Sequence, residues 1–322
     1  MVAEEVKYKL VENALKAGRL VPFLGWGVSR FGRPAGDSWV HGQYLPDPDE
    51  AARELAGPLG SLVSGPASLP EISQYTVELE GIETLFERLH DLYAADAADE
   101  YAPTFLHRLL VELPSRLRAK GYPADPKRRF VVFSAAFDDM LERAFRTAEQ
   151  PYHLFAYHCY TDEEGVTQDA CFYHHPPTGD EPVEVRNATE YNGLAGDDYP
   201  AIVKLCGQQI SPQPESIVVT EDQFIEYLFP KREIGLLLPK TLLDSIKGHS
   251  YLFVGYELRP WYLRLLLQRM CLNKQSLISK GWVVAPKLAP IEERFWHGAK
   301  IQPLAAPPEA LIAYVDGWLK RL

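Results

Sequence analysis

Short apolar runs that end in a turn, each followed by a helical pattern, recur along this chain and constrain its fold more than any other feature. Leu20–Leu24 runs into Gly25, and Arg129–Phe133 leads to a turn whose helix opens at Asp138-Asp139. Ala201–Leu205 ends at Cys206-Gly207, Tyr251–Tyr256 contains Gly255 and precedes a helix begun by Pro260, and Trp282–Ala285 follows. Apolar runs without polar alternation suit strands buried on both faces. Strands that alternate with helices imply an α/β fold with an open, mostly parallel sheet, whose ligands lie beyond the carboxyl ends of its strands.

Four segments then converge on one place: the Gly25 loop, the Ser134–Asp138 turn, the Lys204–Gly207 turn and the Gly255–Trp261 turn. The first reads FLGWGVSRFGRP over residues 23–34. Two glycines after a strand suit a loop whose backbone N–H groups approach a phosphate. Trp26 stands between them, and an indole there either closes the cleft, offers a face for stacking, or packs beneath the loop as core. Candidate ligand contacts are Gly25, Trp26, Gly27, Val28, Ser29, Arg33, Ser134, Ala136, Lys204, Gly207, Gly255 and Tyr256. Asp138 can meet a ligand or cap its helix, and Lys204 can pair with a phosphate or with a carboxylate. Gly207 and Gly255 allow close approach or simply end their strands. Ser134 would be a nucleophile only with a base beside it.

The remaining chain divides by pattern. A helix spans Val6 to Leu15, with Gly18 as its stop. Residues 41–125 read as a helical insertion, with helices near 48–57, 69–79, 82–93 and 102–119. Alternation over 152–160 and 169–175 predicts a β-excursion, and 176–200, rich in Pro, Gly and Asp, is loop. Thr220 with Gln223 forms a capping box for a helix ending near Leu228. The whole reads as one domain over residues 1–322, with its core in 1–40 and 126–322 and the excursion and loop over about 151–200.

Composition sets limits on partners. A formal charge of −11 argues against a nucleic-acid groove, which needs clustered Lys and Arg. The acidic runs Asp96–Glu100 and Asp162–Glu164 read as solvated faces. No apolar run reaches the ~20 residues of a membrane span and the N-terminus lacks a leader pattern, so the expected location is cytoplasmic. The cysteines are Cys159, Cys171, Cys206 and Cys271, without a C-x-x-C pair, so neither a disulfide framework nor a structural zinc is expected. His158-Cys159 with Cys171 and His174-His175 would be the one loose metal cluster, for which a half-buried β-ribbon is the simpler account.

Together the four segments resemble the bacterial sirtuin-like family, whose members split NAD+ and often serve in antiphage defence. The family patterns F-L-G-A-G, T-T-N-Y-D-D-x-L-E, K-[IL]-H-G, T-E-D-x-[YF]-I-x-Y-L and F-L-G-Y-S-L-x-D-W-x-L-R correspond to segments starting at Phe23, Ser134, Lys204, Thr220 and Phe253. Gly32-Arg33-Pro34 and Tyr191-Asn192-Gly193-Leu194 match shorter family patterns. The resemblance implies a Rossmann-like core and an NAD+ glycohydrolase activity. It lacks the four-cysteine zinc module of the protein-deacylating sirtuins.

The departures fall on the chemistry. The resemblance assigns the orienting Asn to the position of Ala136 and the basic His to that of Cys206. A methyl group orients nothing, and a thiol with an unperturbed pKa of about 8.5 is a poor proton acceptor near neutrality. The expected function is therefore a sirtuin-like protein inactive towards NAD+, either empty or holding NAD, ADP-ribose or another small nucleotide, in a regulatory or scaffolding role. Its expected partner is a second copy or an active sirtuin-like paralogue. The alternative is an enzyme of altered chemistry, with Cys206 as nucleophile or base, its pKa lowered by Lys204, and with Asp138 in the same site.

Overall fold

The computed structural model describes residues 2–34, 37–63, 65–93, 101–123, 128–158, 170–208, 217–228, 237–271 and 280–321. Cys159 and both acidic runs lie outside these residues.

The apolar runs form the strands they predict: β1 (Leu20–Leu24), β2 (Val131–Ser134), β6 (Ala201–Lys204), β7 (Ser250–Val254) and β8 (Gly281–Val284). With β3 (His153–His158), β4 (Cys171–His175), β5 (Val183–Glu184) and β9 (Ile301–Leu304) they make one nine-stranded sheet, ordered β5-β4-β3-β6-β2-β1-β7-β8-β9. The strands from β6 to β9 in that order are parallel, as is β3 on β6, while β3–β4 and β4–β5 are antiparallel. Numbered along the chain, β1, β2, β6, β7, β8 and β9 lie in the order 3-2-1-4-5-6 of a doubly wound dinucleotide fold. The direction of winding reverses between β1 and β7, which places the crevice beyond Leu24 and Val254.

Alternate side chains of each strand feed two cores. Val21, Phe23, Phe133, Val203 and Phe253 face the layer of α2 (Pro48–Leu59), α3 (Leu69–Glu80), α4 (Ile82–Tyr93), α7 (Glu221–Leu228), α8 (Lys240–Ile246), α9 (Trp261–Cys271) and α10 (Pro290–Gly298). Leu20, Leu24, Val132, Ile202 and Val254 face α1 (Val2–Lys16), α5 (Phe105–Ala119), α6 (Met140–Thr147) and α11 (Pro308–Arg321). Residues 41–125 thus supply both layers: α2–α4 cover one face and α5 the other. The predicted excursion is integral to the sheet, because β3 pairs in parallel with β6 before the chain turns back as β4. Local caps agree with the elements. Thr220 Oγ1 accepts the Gln223 N–H at 3.1 Å while Gln223 Oε1 accepts the Thr220 N–H at 3.0 Å. No described helix is long and apolar enough to cross a membrane.

Candidate functional site

At the β1/β7 switch the loop after β1 and the turn after β7 are joined by backbone hydrogen bonds. Gly25 N–H donates to Val254 O and Gly27 N–H to Gly255 O, both at 2.9 Å, and Val28 N–H returns to Gly25 O at 3.2 Å. As arranged, the loop offers a phosphate none of these N–H groups. The glycines permit the interlock: a Cβ on Gly27 would stand 2.9 Å from Gly255 O, and one on Gly255, where φ is +65°, would meet Val28 N at 2.5 Å. After Gly25 the chain coils into a short 3₁₀ helix, Trp26–Arg30, tightened by Ser29 Oγ donating to Trp26 O at 2.9 Å.

Trp26 is 7% exposed and belongs to the α2–α4 side core. Its indole N–H donates to Ala135 O in the neighbouring turn. The ring meets Phe137 edge-on at 5.4 Å between centroids and Tyr262 of α9 at 6.2 Å, and Phe137 is in turn met by Tyr93 of α4 at 4.9 Å. An aromatic plug from four separate segments thus fills the space between the first loop, the second turn and the overlying helices. Of the three readings of Trp26, the structure shows the indole packed as core. Phe137, Tyr93 and Tyr262 were not among the sequence candidates, since each is an unremarkable aromatic in its own segment.

The other candidates are also tied to the protein. Arg33 makes a two-pronged pair with Glu50 of α2, one contact at 2.9 Å from Nη1 to Oε2 and a second from Nη2 to Oε1, with both side chains buried. Ser134 Oγ donates to Ala136 O at 3.2 Å, and Tyr256 OH donates to Leu263 O at 2.8 Å. Asp138 Oδ1 accepts the Met140 N–H at 3.0 Å, so its carboxylate caps the start of α6. Burial nevertheless lifts the Asp138 carboxyl above its ordinary range, against the pull of Lys204 and of that N–H. Gly207 has φ +77° and ends the β6 turn in a conformation suited to glycine.

Lys204 turns to the opposite face. Its Nζ lies 3.2 Å from Glu142 Oε1 and donates to Asp138 O. Cys206 is fully buried on the aromatic side, and burial pushes its thiol up to about 12, far outweighing the opposite pull of Lys204. The expectation that Lys204 activates this thiol is corrected: the lysine's charge is spent on Glu142, and desolvation of the thiolate dominates. Among the described residues no group of three or more His, Cys, Asp or Glu is placed to hold a metal ion.

A doubly wound sheet whose switch-point crevice carries a glycine loop defines a protein of the dinucleotide-fold class. Within it, the model of the SIR2-like domain matches residues 131–304, more than half of the chain, and the chain belongs to that family. The match takes in the turns after β2, β6 and β7 but not the loop of Trp26. No curated relative matches the chain.

Proposed function

We propose that this SIR2-like protein has lost NAD+ cleavage and acts as a regulatory or scaffolding component, related to the NAD+-hydrolysing defence proteins it resembles. One observation supports the reading: the Trp26 indole of the loop after β1 is buried and bonded to Ala135 O, at the carboxyl ends of the strands where a doubly wound sheet takes its ligands. The residues present do not fit NAD there. The N–H groups of Gly25, Gly27 and Val28 are committed to Val254, Gly255 and Gly25, Ala136 has no polar group in its side chain, and burial holds the Cys206 thiol neutral. The reading in which Cys206 is a nucleophile draws no support from that environment. A second copy of the chain or an active SIR2-like paralogue is the partner proposed for this role.

A fluorescent NAD+ analogue assay tests the reading, with an active SIR2-like protein as positive control. The wild-type chain is expected to release no product, and turnover that disappears in Cys206→Ala would overturn it. Calorimetry with ADP-ribose is expected to show no binding to wild type and a gain in Trp26→Ala. A folded Trp26→Ala protein that gains none would refute the closure account.

A further inference from the structure

In the helix layer on the Trp26 side of the sheet, three large apolar side chains stand in solvent on two neighbouring helices. Tyr75 and Leu79 of α3 are 39% and 55% exposed, and Ile225 of α7 is 47% exposed. Tyr75 and Leu79 are one turn apart and share a face, while Leu69, Ile72, Ser73 and Thr76 of the same helix are buried. On α7, Phe224 and Tyr227 turn inward instead. The helices are joined by a two-way bond: Gln74 Nε2 donates to Asp222 Oδ2 at 2.9 Å, and Gln74 Oε1 accepts the Asp222 N–H at 3.2 Å. Tyr75 follows Gln74 directly and Ile225 lies about one turn beyond Asp222, so apolar groups flank this joint.

The same face is acidic. It carries Glu71 and Glu78 on α3 and Glu221, Asp222 and Glu226 on α7, and neither helix contains a Lys, Arg or His. Among the described residues none of these five acids is in an ion pair, although other surface acids are: Glu80 with Arg88, Glu112 with Arg116 and Asp316 with Lys320. Their neighbours are neutral or alike in charge. Tyr75 OH donates to Glu71 Oε1 at 3.0 Å, and Gln74 Nε2 also donates to Glu78 Oε1 at 3.1 Å. Burial lifts the Glu221 carboxyl above its ordinary range, and the nearby charges of Glu71 and Asp222 lift it further. Glu71, Glu221 and Asp222 stand in first turns, where the helix dipole favours an acid. Glu78 and Glu226 lie towards the carboxyl ends of their helices, where it does not.

Charge decides what can cover the apolar groups. A nucleic acid or an anionic lipid surface would be repelled, and two copies meeting through this face would set its acids against each other. The complementary occupant is a helix whose apolar stripe is bordered by Lys or Arg, laid against the helix pair.

We propose that the face formed by α3 and α7 docks a basic amphipathic helix of a partner protein, with Tyr75, Leu79 and Ile225 as its apolar anchors and Glu78 and Glu226 as its ionic partners. This docking stands apart from the loss of NAD+ cleavage, because binding is read without turnover. The test is a fluorescence-anisotropy titration of the full chain against a labelled helical peptide of Leu and Lys, about four turns long, with its leucines on one face. A peptide of the same composition in scrambled order and one with Glu for Lys are the controls. One-to-one saturation by the patterned peptide is expected, with neither control matching it. Leu79→Ser and Ile225→Ser should each weaken binding by about tenfold or more, the loss of one apolar anchor. Glu78→Lys and Glu226→Lys should each weaken it by about fivefold at low salt. Glu309→Lys on α11 makes the same change in net charge on the other face of the sheet and should alter binding by less than about twofold. All five positions are exposed, so the variants should fold. No saturable binding, equal binding of the scrambled peptide, equal weakening by Glu309→Lys, or a dimer of the chain alone that Leu79→Ser dissociates in sedimentation would each overturn the proposal.

Discussion

A Cβ added to Gly25 would stand 2.2 Å from the carbonyl oxygen of Gly255 and 2.4 Å from Tyr256 Cα, so the loop after β1 and the turn after β7 are in backbone contact. The interlock lies across the crevice that a doubly wound sheet offers to a dinucleotide. Here small residues serve protein packing.

Gly25→Ala should therefore act on stability. The nearest atoms are backbone and cannot swing aside, so a loss of about 3 kcal/mol or more is expected, at or above the upper end for overpacking. Gly57→Ala, inside α2 with nothing within 4 Å of the added methyl, should instead gain about 0.5–1 kcal/mol. Urea unfolding of the two variants gives the comparison. A Gly25→Ala protein as stable as wild type would mean that the two turns are not held as described.

How far the site was legible follows from the same interlock. The strands were visible because Leu20–Leu24 is apolar throughout and Ala201–Lys204 is apolar up to its last residue, as suits a doubly buried strand. Helices α2 to α4 were visible through periodicity and punctuation. The edge strand β9, Ile301-Gln-Pro-Leu304, was missed: its Gln and Pro are tolerated only because it pairs on one side. The site failed differently. Gly25, Trp26, Arg33 and Lys204 each announce a chemistry, but what they do depends on Gly255, Ala135, Glu50 and Glu142, which lie in other segments. A residue type can be read along the chain; the group that satisfies it cannot.

Arg33 illustrates this. With Glu50 it joins the first loop to α2, while Glu50 Oε2 also accepts the Asp47 N–H at 2.9 Å in a capping box. Burial pushes Glu50 upward, but the bonds from Arg33 and Asp47 bring it below its ordinary range. Arg33→Ala would leave a buried carboxylate without its cation, at a cost of about 3–5 kcal/mol. Arg33→Lys keeps the charge but loses the fork, so its stability should fall between the two. Denaturant titration orders the three proteins; equal loss in both variants would point to packing rather than pairing.

Stability should also fall in mild acid through the histidines under the β3–β4 wing. His153 Nδ1 and His174 Nε2 are 2.8 Å apart, His153 Nε2 meets Asp197 at 2.9 Å, and His174 Nδ1 meets Tyr191 OH at 2.6 Å. A consistent neutral arrangement has Tyr191 donating to His174, His174 to His153 and His153 to Asp197. Burial, with the nearby His153, His175 and Arg129 and against Asp197, holds His174 down to about 4. An unfolded chain takes up that proton below about 6.5, so folding loses roughly 2–3 kcal/mol as pH falls from there towards 4. In His174→Phe, which can keep the stack on Phe155, the slope of unfolding free energy against pH should be shallower over that range. An unchanged slope would remove His174 from the account.

The pair of Lys204 and Glu142 gives a prediction with a built-in control. Both side chains are almost fully buried at 3.2 Å, and burial raises the Glu142 carboxyl against the pull of Lys204. Lys204→Met removes that pull and strands the acid, which should cost about 3–5 kcal/mol near neutrality. The penalty should shrink as the pH is lowered, because a carboxyl whose folded-state pKa is raised further takes up a proton while the unfolded chain still ionises, and the neutral acid is cheaper to bury. Lys204→Met with Glu142→Leu removes both charges together and should recover most of the loss. Unfolding measured at about pH 8 and about pH 5 for the single and double variants tests all three statements. If the single variant loses equally at both pH values, Glu142 does not carry the charge in the folded protein that the pairing with Lys204 requires.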